Sequence, residues 1–374
     1  MNFSIFENKN KLLPAFSKPY PGELLSSWMA RLAFNHGLAL WDFLRVFYGA
    51  TAFSKHNIDF CGDSRIQQLA LRTNCSFEEV KNTTLHYYEN AIFSNGSQAH
   101  QVLRGWVLSR NLRETSKNTM GLMYCPKCLS GLKKKPAYFR KQWRLGISFV
   151  CLKCRCYLME NCPHCNEFVS FLKPFDPGKD ISEYLTTCKY CKRSICDNQI
   201  ITAPEGLLDL QKQLYDIIDH GCAGKGVYPI SYFKALRQVA ALFATVKYTH
   251  IVRTPRELEL DPFIQDVIAA HKRLFPILHQ QLADERVQGL SVYKRAYKIM
   301  LAHWLLEDWP KRFLHYCKQS KINRSQILYL SYHADTPFWF WDTVYSNLLP
   351  PIPSIGTMPF GCKHSVSYIF EAMI

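Results

Sequence analysis

The chain lacks the long apolar segments that place a protein in a membrane or export it. No window of its 374 residues approaches the ~18 consecutive apolar residues that a membrane-spanning helix requires. The N-terminal run MNFSIFENKNKLL has no apolar core followed by a small-residue cleavage site, so no secretory signal is recognisable. We therefore expect a soluble cytoplasmic protein without membrane contacts.

The sequence also lacks the motifs of common enzyme classes. It contains no G-x-x-x-x-G-K-[ST] phosphate loop, no H-E-x-x-H metalloprotease motif and no G-x-S-x-G nucleophile elbow. The run from His220 to Gly226 resembles a phosphate loop only superficially, because the spacing and the hydroxyl residue are missing. We expect no catalytic residues and interpret the chain as a protein that is not an enzyme.

Acidic residues are scarce in one part of the chain. Overall, 46 Lys and Arg face 30 Asp and Glu, which gives a formal net charge of +16. Between Arg104 and Arg155, 13 basic residues accompany a single acid, Glu114. Such a field favours nucleic acid or an anionic membrane, whereas a solvated basic surface is the alternative interpretation. If cysteines in this segment bind zinc as thiolates, part of the charge is neutralised locally.

Cysteine is abundant, with 15 residues. Eight of them form a tandem C-x2-C-x22-C-x2-C pattern made of four pairs: Cys125 and Cys128, Cys151 and Cys154, Cys162 and Cys165, Cys188 and Cys191. Each pair can offer two sulfurs to a tetrahedral ion, and two pairs complete a closed four-sulfur site. The pattern predicts two structural Zn²⁺ ions, because a closed site leaves no position for water or substrate.

Other uses of these cysteines fit the sequence less well. Disulfides are disfavoured because no export signal is recognisable. A redox role is disfavoured because redox C-x-x-C motifs usually come singly. Iron–sulfur ligation is disfavoured because the common ferredoxin spacings differ from the spacing found here. The equal loops favour sequential closure of the two sites, with a cross-braced arrangement as the alternative. Cys156 or Cys196 can substitute for a ligand, and we interpret His164 as an exposed residue of its pair.

Helical periodicity flanks the cysteine-rich region and predicts a mainly α fold with short strands in the middle. We expect three domains, a helical one at 1–120, tandem zinc fingers at 121–200 and a helical one at 201–374. Predicted helices span 65–72, 77–90, 98–110, 205–219, 229–246, 262–273, 292–306, 323–333 and 337–348. Short strands are predicted at Tyr138–Phe139 and Ile147–Val150, and Ser76 with Glu79 forms a predicted capping box.

Two segments resemble a helix-turn-helix, a pattern that also describes ordinary packing of small helical domains. The first runs from Pro19 to Gly49 and the second from Lys321 to Asn347. In the second, Trp339, Phe340 and Trp341 follow one another, so at least one large ring must lie in a core or on a partner surface.

Basic and aromatic residues are interleaved from Tyr138 to Arg144, between the first two cysteine pairs. Such a segment can grip phosphates while its rings stack on bases or pack underneath. We interpret Trp143 as a packing residue. The candidate nucleic-acid contacts are Lys133, Lys134, Lys135, Arg140, Lys141 and Arg144.

The order of these motifs resembles the TniQ/TnsD family over roughly residues 14–195. The matching segments are PYPGELLSSWMARLA from Pro19, YCPKC from Tyr124, YFR from Tyr138, WRL from Trp143, CLKC from Cys151, Leu158 and CPHC from Cys162. Family members often have histidine as the fourth ligand of the first site, where this chain has Cys154. Four sulfurs at the same spacing preserve the coordination.

The resemblance implies a non-catalytic target-selection factor of prokaryotic transposons that use a separate transposase and an AAA+ ATPase. TnsD-like members read a specific duplex DNA sequence. TniQ members of CRISPR-associated transposons are adaptors, often homodimers, that dock on the RNA-guided Cascade complex and recruit a TnsC-like AAA+ regulator. The chain length favours the adaptor, whereas the basic charge favours the reader. A zinc-containing helix-turn-helix transcription regulator and a purely structural zinc scaffold are the alternatives from other classes.

Overall fold

A computed structural model of the protein describes residues 12–49, 58–93, 106–111, 118–130, 137–170, 172–223, 227–243, 291–328 and 336–350, with Gln265 and Ala269. The helices before and within the cysteine-rich region are α1 Leu25–Asn35, α2 Leu40–Tyr48, α3 Asp63–Thr73, α4 Phe77–Lys81, α5 Pro126–Ser130 and α6 Ile181–Thr186. The later helices are α7 Glu205–His220, α8 Pro229–Leu242, α9 Val292–Glu307, α10 Lys311–Gln319, α11 Arg324–Leu328 and α12 Phe338–Asn347.

Two antiparallel hairpins lie between the helical parts. In the first, β1 Ser109–Asn111 pairs with β2 Asn118–Met120, and in the second β3 Val150–Cys151 pairs with β4 Cys156–Tyr157. Helices on both sides of a cysteine-rich segment with short strands confirm the predicted mainly α fold. Within the described residues, no helix combines the length and the apolar character needed to cross a membrane.

Helix α1 lies in the core. Nine consecutive residues, from Leu25 to Ala33, are buried, so this helix packs on all sides rather than presenting a polar face. Helix α2 follows after Gly37, whose φ of 69° is easily reached by glycine. The exposed part of α2 carries one acid, Asp42, and one base, Arg45. DNA binding by this helix pair stays a prediction.

The prediction of a single helix at 77–90 is wrong. The structure has α4, which the confirmed Ser76 capping box begins, and then a separate 3-10 turn at Leu85–Tyr88. Helix α4 ends because the Thr83 hydroxyl donates to the Val80 carbonyl at 2.7 Å, and Thr84 caps the next turn by accepting from the His86 amide. Side-chain bonds to the backbone compete with helix continuation in this way.

The helix predicted at 98–110 is also wrong where the structure describes it. Residues 106–111 are extended, and Val107 pairs with Leu145 while β1 pairs with β2. Most of the helix predicted at 262–273 lies outside the described residues, as does the end of the one predicted at 323–333. The Tyr138–Phe139 strand is replaced by a single bridge between Glu23 and Arg140.

The N-terminal helices and the cysteine-rich region share backbone hydrogen bonds. The Leu24 amide donates to the Phe139 carbonyl at 2.9 Å, and the Lys141 amide donates to the Gly22 carbonyl at 3.0 Å. The Phe139 amide in turn donates to Ser27 Oγ at 3.0 Å. One hydrophobic core therefore runs through both parts, and the three-domain division stays a prediction.

The consecutive rings of α12 divide between core and surface. Phe340 is fully buried, and Trp339 packs edge-on against Trp309 at 5.0 Å. Trp341 stacks on Tyr345 with centroids 4.8 Å apart, and Phe338 at the start of the helix is 76% exposed. The core is thus one place that a large ring of this run occupies, and a partner surface stays a prediction.

Candidate metal centres and the basic segment

The eight paired cysteines form two groups whose sulfurs converge. We name them the first cysteine group, Cys125, Cys128, Cys151 and Cys154, and the second cysteine group, Cys162, Cys165, Cys188 and Cys191. Within each group all four sulfur atoms lie within 4.8 Å of one another. The groups are sequential, as the equal loops favour, and not cross-braced.

Each C-x-x-C pair is closed by the same backbone turn. The amide of the residue after the second cysteine donates to the carbonyl of the first cysteine, with donors Leu129, Arg155, Asn166 and Lys192 at 3.1, 2.7, 3.0 and 3.2 Å. Three of these residues, Arg155, Asn166 and Lys192, have left-handed backbone with φ of 54°, 59° and 62°. The turn points both sulfurs of a pair in one direction. It does so although a left-handed backbone is unfavourable for residues other than glycine.

The sulfur geometry fits a tetrahedral zinc ion. A Zn–S bond of about 2.3 Å gives an edge of about 3.8 Å between ligand sulfurs. The sulfur of Cys128 lies 3.6 Å from that of Cys151 and 3.5 Å from that of Cys154. In the second cysteine group, Cys162 and Cys191 are 3.6 Å apart, and Cys165 and Cys188 are 3.7 Å apart. None of the cysteines in the described part of the chain forms a disulfide.

The electrostatics of the first cysteine group favour a cation. Contact with Cys128 raises the pKa of Cys125, while the hydrogen bond from Cys125 lowers the pKa of Cys151. Sulfurs this close cannot all ionise on their own, because thiolates repel one another. A divalent ion removes that repulsion, so both groups can hold a metal ion.

The cysteines and histidine outside the groups have different surroundings. His164 is exposed, and its Nε2 lies 3.2 Å from Asp197 Oδ2. Cys196 is half-buried behind the Ser194 cap. Cys156 is buried, and its sulfur lies 3.7 Å from that of Cys125. The sequence offers Cys156 and Cys196 equally as substitute ligands, whereas the structure brings the sulfur of Cys156 next to a ligand sulfur.

A buried ion pair ties α1 to the chain before it. Arg31 Nη2 lies 2.7 Å from Glu23 Oε2, and Arg31 Nε donates to Glu23 Oε1 at 2.9 Å, a bidentate contact. Ser27 Oγ donates to the same carboxylate at 3.0 Å while accepting from the Phe139 amide. In the sequence these residues stand out only as part of the family signature, and the spacing of four residues from Glu23 to Ser27 and from Ser27 to Arg31 is the signal that indicates their contact.

The candidate nucleic-acid contacts fall in three environments. Lys133, Lys134 and Lys135 lie outside the described residues. Arg140 is half-buried, with its guanidinium 5.6 Å from the Tyr138 ring centroid. The two other side chains, Lys141 and Arg144, are buried.

Lys141 and Arg144 make contacts within the fold. Lys141 Nζ donates to the Asn82 carbonyl at 2.8 Å and lies 3.2 Å from the Tyr87 ring centroid, and burial lowers the pKa of Lys141 to about 8. Arg144 Nη1 donates to the Gly121 carbonyl at 2.8 Å, and Nε lies 3.3 Å from Asp59 Oδ2. Burial raises the pKa of Asp59 and lowers that of Arg144, so desolvation opposes this pair. In this structure neither cation faces solvent.

Trp143 lies beneath this segment. It is 1% exposed and packs edge-on against Phe139 with centroids 5.9 Å apart. Its carbonyl accepts from the Met123 amide at 3.0 Å, two residues before the first ligand cysteine. Trp143 is therefore a residue of the core whose backbone is bonded to the segment that leads to Cys125, in keeping with its interpretation as a packing residue.

Residues 14–158 match the model of one protein family, TniQ. The chain carries a TniQ-family domain. The match begins before the Glu23–Arg31 pair and ends four residues after Cys154, so it includes the first cysteine group and excludes the second. A search of curated proteins found no match to this chain. The TniQ domain supports a role in target selection during DNA transposition.

Proposed function

We propose that this protein is a non-catalytic target-site selection factor of DNA transposition in the prokaryotic cytoplasm. It acts as an adaptor that links an RNA-guided Cascade-type complex to a TnsC-like AAA+ regulator. The observation that carries the proposal is the TniQ-family domain, which contains both the buried Glu23–Arg31 pair and the first cysteine group. A second copy of the chain is a further proposed partner.

Two structural Zn²⁺ ions hold the scaffold in this proposal. Each cysteine group supplies four sulfurs and so closes the coordination sphere, which leaves no position for a substrate or an activated water. The metals then stabilise shape, at about 10–16 kcal/mol of binding free energy per site. The protein contributes positioned surfaces, and the strand-transfer chemistry belongs to a separate transposase.

Nucleic-acid contact is proposed for the basic segment. Lys133, Lys134, Lys135 and Arg140 contact phosphates, whereas Lys141 and Arg144 require rearrangement of their present contacts to do so. Replacing the three consecutive lysines by alanine is expected to weaken duplex binding and to flatten its salt dependence by about 0.9 per lost phosphate contact. The matched control removes three exposed lysines elsewhere, Lys311, Lys318 and Lys321. Equal effects of both triple variants would remove the assignment.

The decisive experiment is selection from a random-sequence duplex pool by the zinc-loaded protein at two salt concentrations. An adaptor binds weakly, with steep salt dependence and without enrichment of any sequence, because its specificity comes from the guide-RNA complex. Enrichment of one sequence identifies a direct reader instead. Addition of a TnsC-like ATPase then separates a transposition factor, which binds it, from a transcription regulator, which does not.

The second candidate is a TnsD-like reader of duplex DNA. The observation in its favour is the net charge of +16, which favours binding to a polyanion such as duplex DNA. Helices α11 and α12 lie in the second helix-turn-helix candidate. The exposed residues of α12 include Phe338 and Tyr345 rather than a row of cations. This surface fits base recognition poorly, so we place the adaptor first.

A further inference from the structure

A fifth sulfur lies beside the first cysteine group. Cys156 begins β4, and its backbone pairs with that of the ligand Cys151 across the β3–β4 hairpin. On its other side it bridges to Thr202. The Cys156 side chain is 1% exposed. Pairing on both sides fixes this backbone, so only rotation about the side chain is left for the thiol.

The Cys156 sulfur lies at a ligand-to-ligand distance from one member of the group. Its separation of 3.7 Å from Cys125 Sγ equals the spacings of 3.5 and 3.6 Å found among the group's own sulfurs to within a few tenths of an ångström. Cys156 is not part of the group whose four sulfurs lie within 4.8 Å of one another. It therefore contacts the site through Cys125.

A buried cysteine often serves as a small apolar residue. Two observations separate Cys156 from that role. Its sulfur faces a ligand sulfur, and the pattern Cys151, Cys154, Cys156 places it on the strand that returns from the second ligand pair. The second cysteine group has the same pair spacing, and among the described residues Cys196 makes no comparable sulfur contact with it.

We infer that Cys156 is a reserve ligand of the first metal site, able to take the place of Cys125. A change of side-chain rotamer moves a cysteine sulfur by about 3 Å, which covers most of the 3.7 Å that separates the two sulfurs. This inference rests on zinc occupying both cysteine groups, as proposed above.

The test counts metal ions and thiolate ligands in full-length protein loaded with Co²⁺, whose sulfur-to-metal charge-transfer absorption reports thiolate coordination. Wild type is expected to bind two ions. Cys125→Ala also binds two with four-thiolate intensity per ion, because Cys156 moves in, whereas the C125A/C156A double variant binds one. Cys162→Ala is the matched control in the second cysteine group and is expected to bind one ion.

The outcomes distinguish failure of the zinc proposal from failure of the reserve-ligand inference. Wild type that binds no metal overturns the zinc proposal itself. The reserve-ligand inference alone is overturned if wild type binds two ions but Cys125→Ala behaves like the double variant. That behaviour is either the same reduced ion count or the same three-thiolate spectrum.

A second measurement keeps the inference testable if Cys125→Ala does not fold. Cys156→Ala is a small change in a buried position and leaves all eight ligands in place. Loss of an outer-shell partner typically lowers metal affinity 10–100-fold. Zinc release to a chelator from one of the two sites is therefore expected to accelerate about tenfold, with the other site unchanged, and equal release from both proteins overturns the inference.

Discussion

The two cysteine groups share their spacing and knuckle turns but differ in their surroundings. In both groups the first cysteine of each pair is buried and the second is half-buried. At the first cysteine group, the Phe149 amide just before the hairpin donates to the buried Gln211 of α7 at 2.8 Å. At the second cysteine group, the pairs are closed by local bonds, such as the Cys188 amide to the Arg193 carbonyl at 2.8 Å. Tyr190, between its last two ligands, is 51% exposed.

This difference shows that ligand spacing predicts a metal site but not how much of the fold depends on the metal bound there. Members of both groups lie in one hydrophobic core with α1. The first cysteine group lies inside the TniQ match, and the loop between its ligand pairs bonds to the residue before α1 through the Phe139 carbonyl and the Leu24 amide, while the second lies beyond the match. We therefore expect loss of the first metal to disturb the N-terminal helices more than loss of the second.

Loss of one ligand from each group is expected to give the largest effects. Cys128→Ala and Cys165→Ala remove equivalent half-buried ligands. Cys128→Ala should forfeit most of a site's binding free energy, on the order of 10 kcal/mol, and expose α1 amides to hydrogen exchange measured by mass spectrometry. Cys165→Ala should leave α1 protected. Identical exchange patterns in the two variants would show that the groups carry equal weight.

The next effect tests the buried link between α1 and the chain before it. Arg31→Ala leaves the Glu23 carboxylate buried without its cation and is expected to lower the free energy of unfolding by about 3–5 kcal/mol in urea denaturation. The control is Lys18→Ala, which breaks an exposed pair with Glu79 and should cost about 0–1 kcal/mol. A cost below 1 kcal/mol for Arg31→Ala contradicts the link.

A smaller effect is expected from the anchor of the β3–β4 hairpin. Gln211 accepts from the Phe149 amide and donates to the Ile147 carbonyl at 3.1 Å, so Gln211→Ala leaves buried backbone groups without partners. We expect a loss of about 1–3 kcal/mol together with weaker zinc retention at the first cysteine group. The counterpart near the second group is Asp180→Ala, which removes the cap of α6 and should cost about 1 kcal/mol. Unchanged zinc retention in Gln211→Ala contradicts the proposed anchoring.

The last effect, which develops gradually over about two pH units, is a pH dependence from Lys141. Its pKa is about 8 in the folded protein because the side chain is buried, whereas an unfolded chain holds the proton up to a pKa of about 10.4. Between these values the unfolded state binds more protons, so stability rises with pH by at most about 1.4 kcal/mol per unit. Urea denaturation at pH 8, 9 and 10 should show this rise, and Lys141→Met should flatten it. An equal slope in both proteins shows that Lys141 is not the source.

The sequence predicted the metal-binding groups because a C-x-x-C pair is a local structure whose spacing determines where its sulfurs point. The long α helices at 205–220 and 292–307 followed from periodicity in the same way. Local patterns were insufficient where a distant partner decides the outcome. Arg144 belongs to a basic run, yet Asp59 from a far earlier segment holds it inside the core.

The family signature illustrates the same limit. Glu23, Ser27 and Arg31 were visible as a conspicuous string of letters, but their role depends on the Phe139 amide that meets Ser27. Cys156 and Cys196 are both extra cysteines in sequence, and only the hairpin pairing brings Cys156 to the first cysteine group. Partner identity across the fold is therefore the information that sequence patterns omit.

The most direct test of the metal-held scaffold is native mass spectrometry of the full-length chain after zinc loading, combined with alkylation of accessible thiols. The account predicts two Zn²⁺ ions per chain and protection of the eight paired cysteines until a chelator is added. A chain that carries fewer than two ions, or whose paired cysteines react freely in the zinc-loaded state, would contradict it.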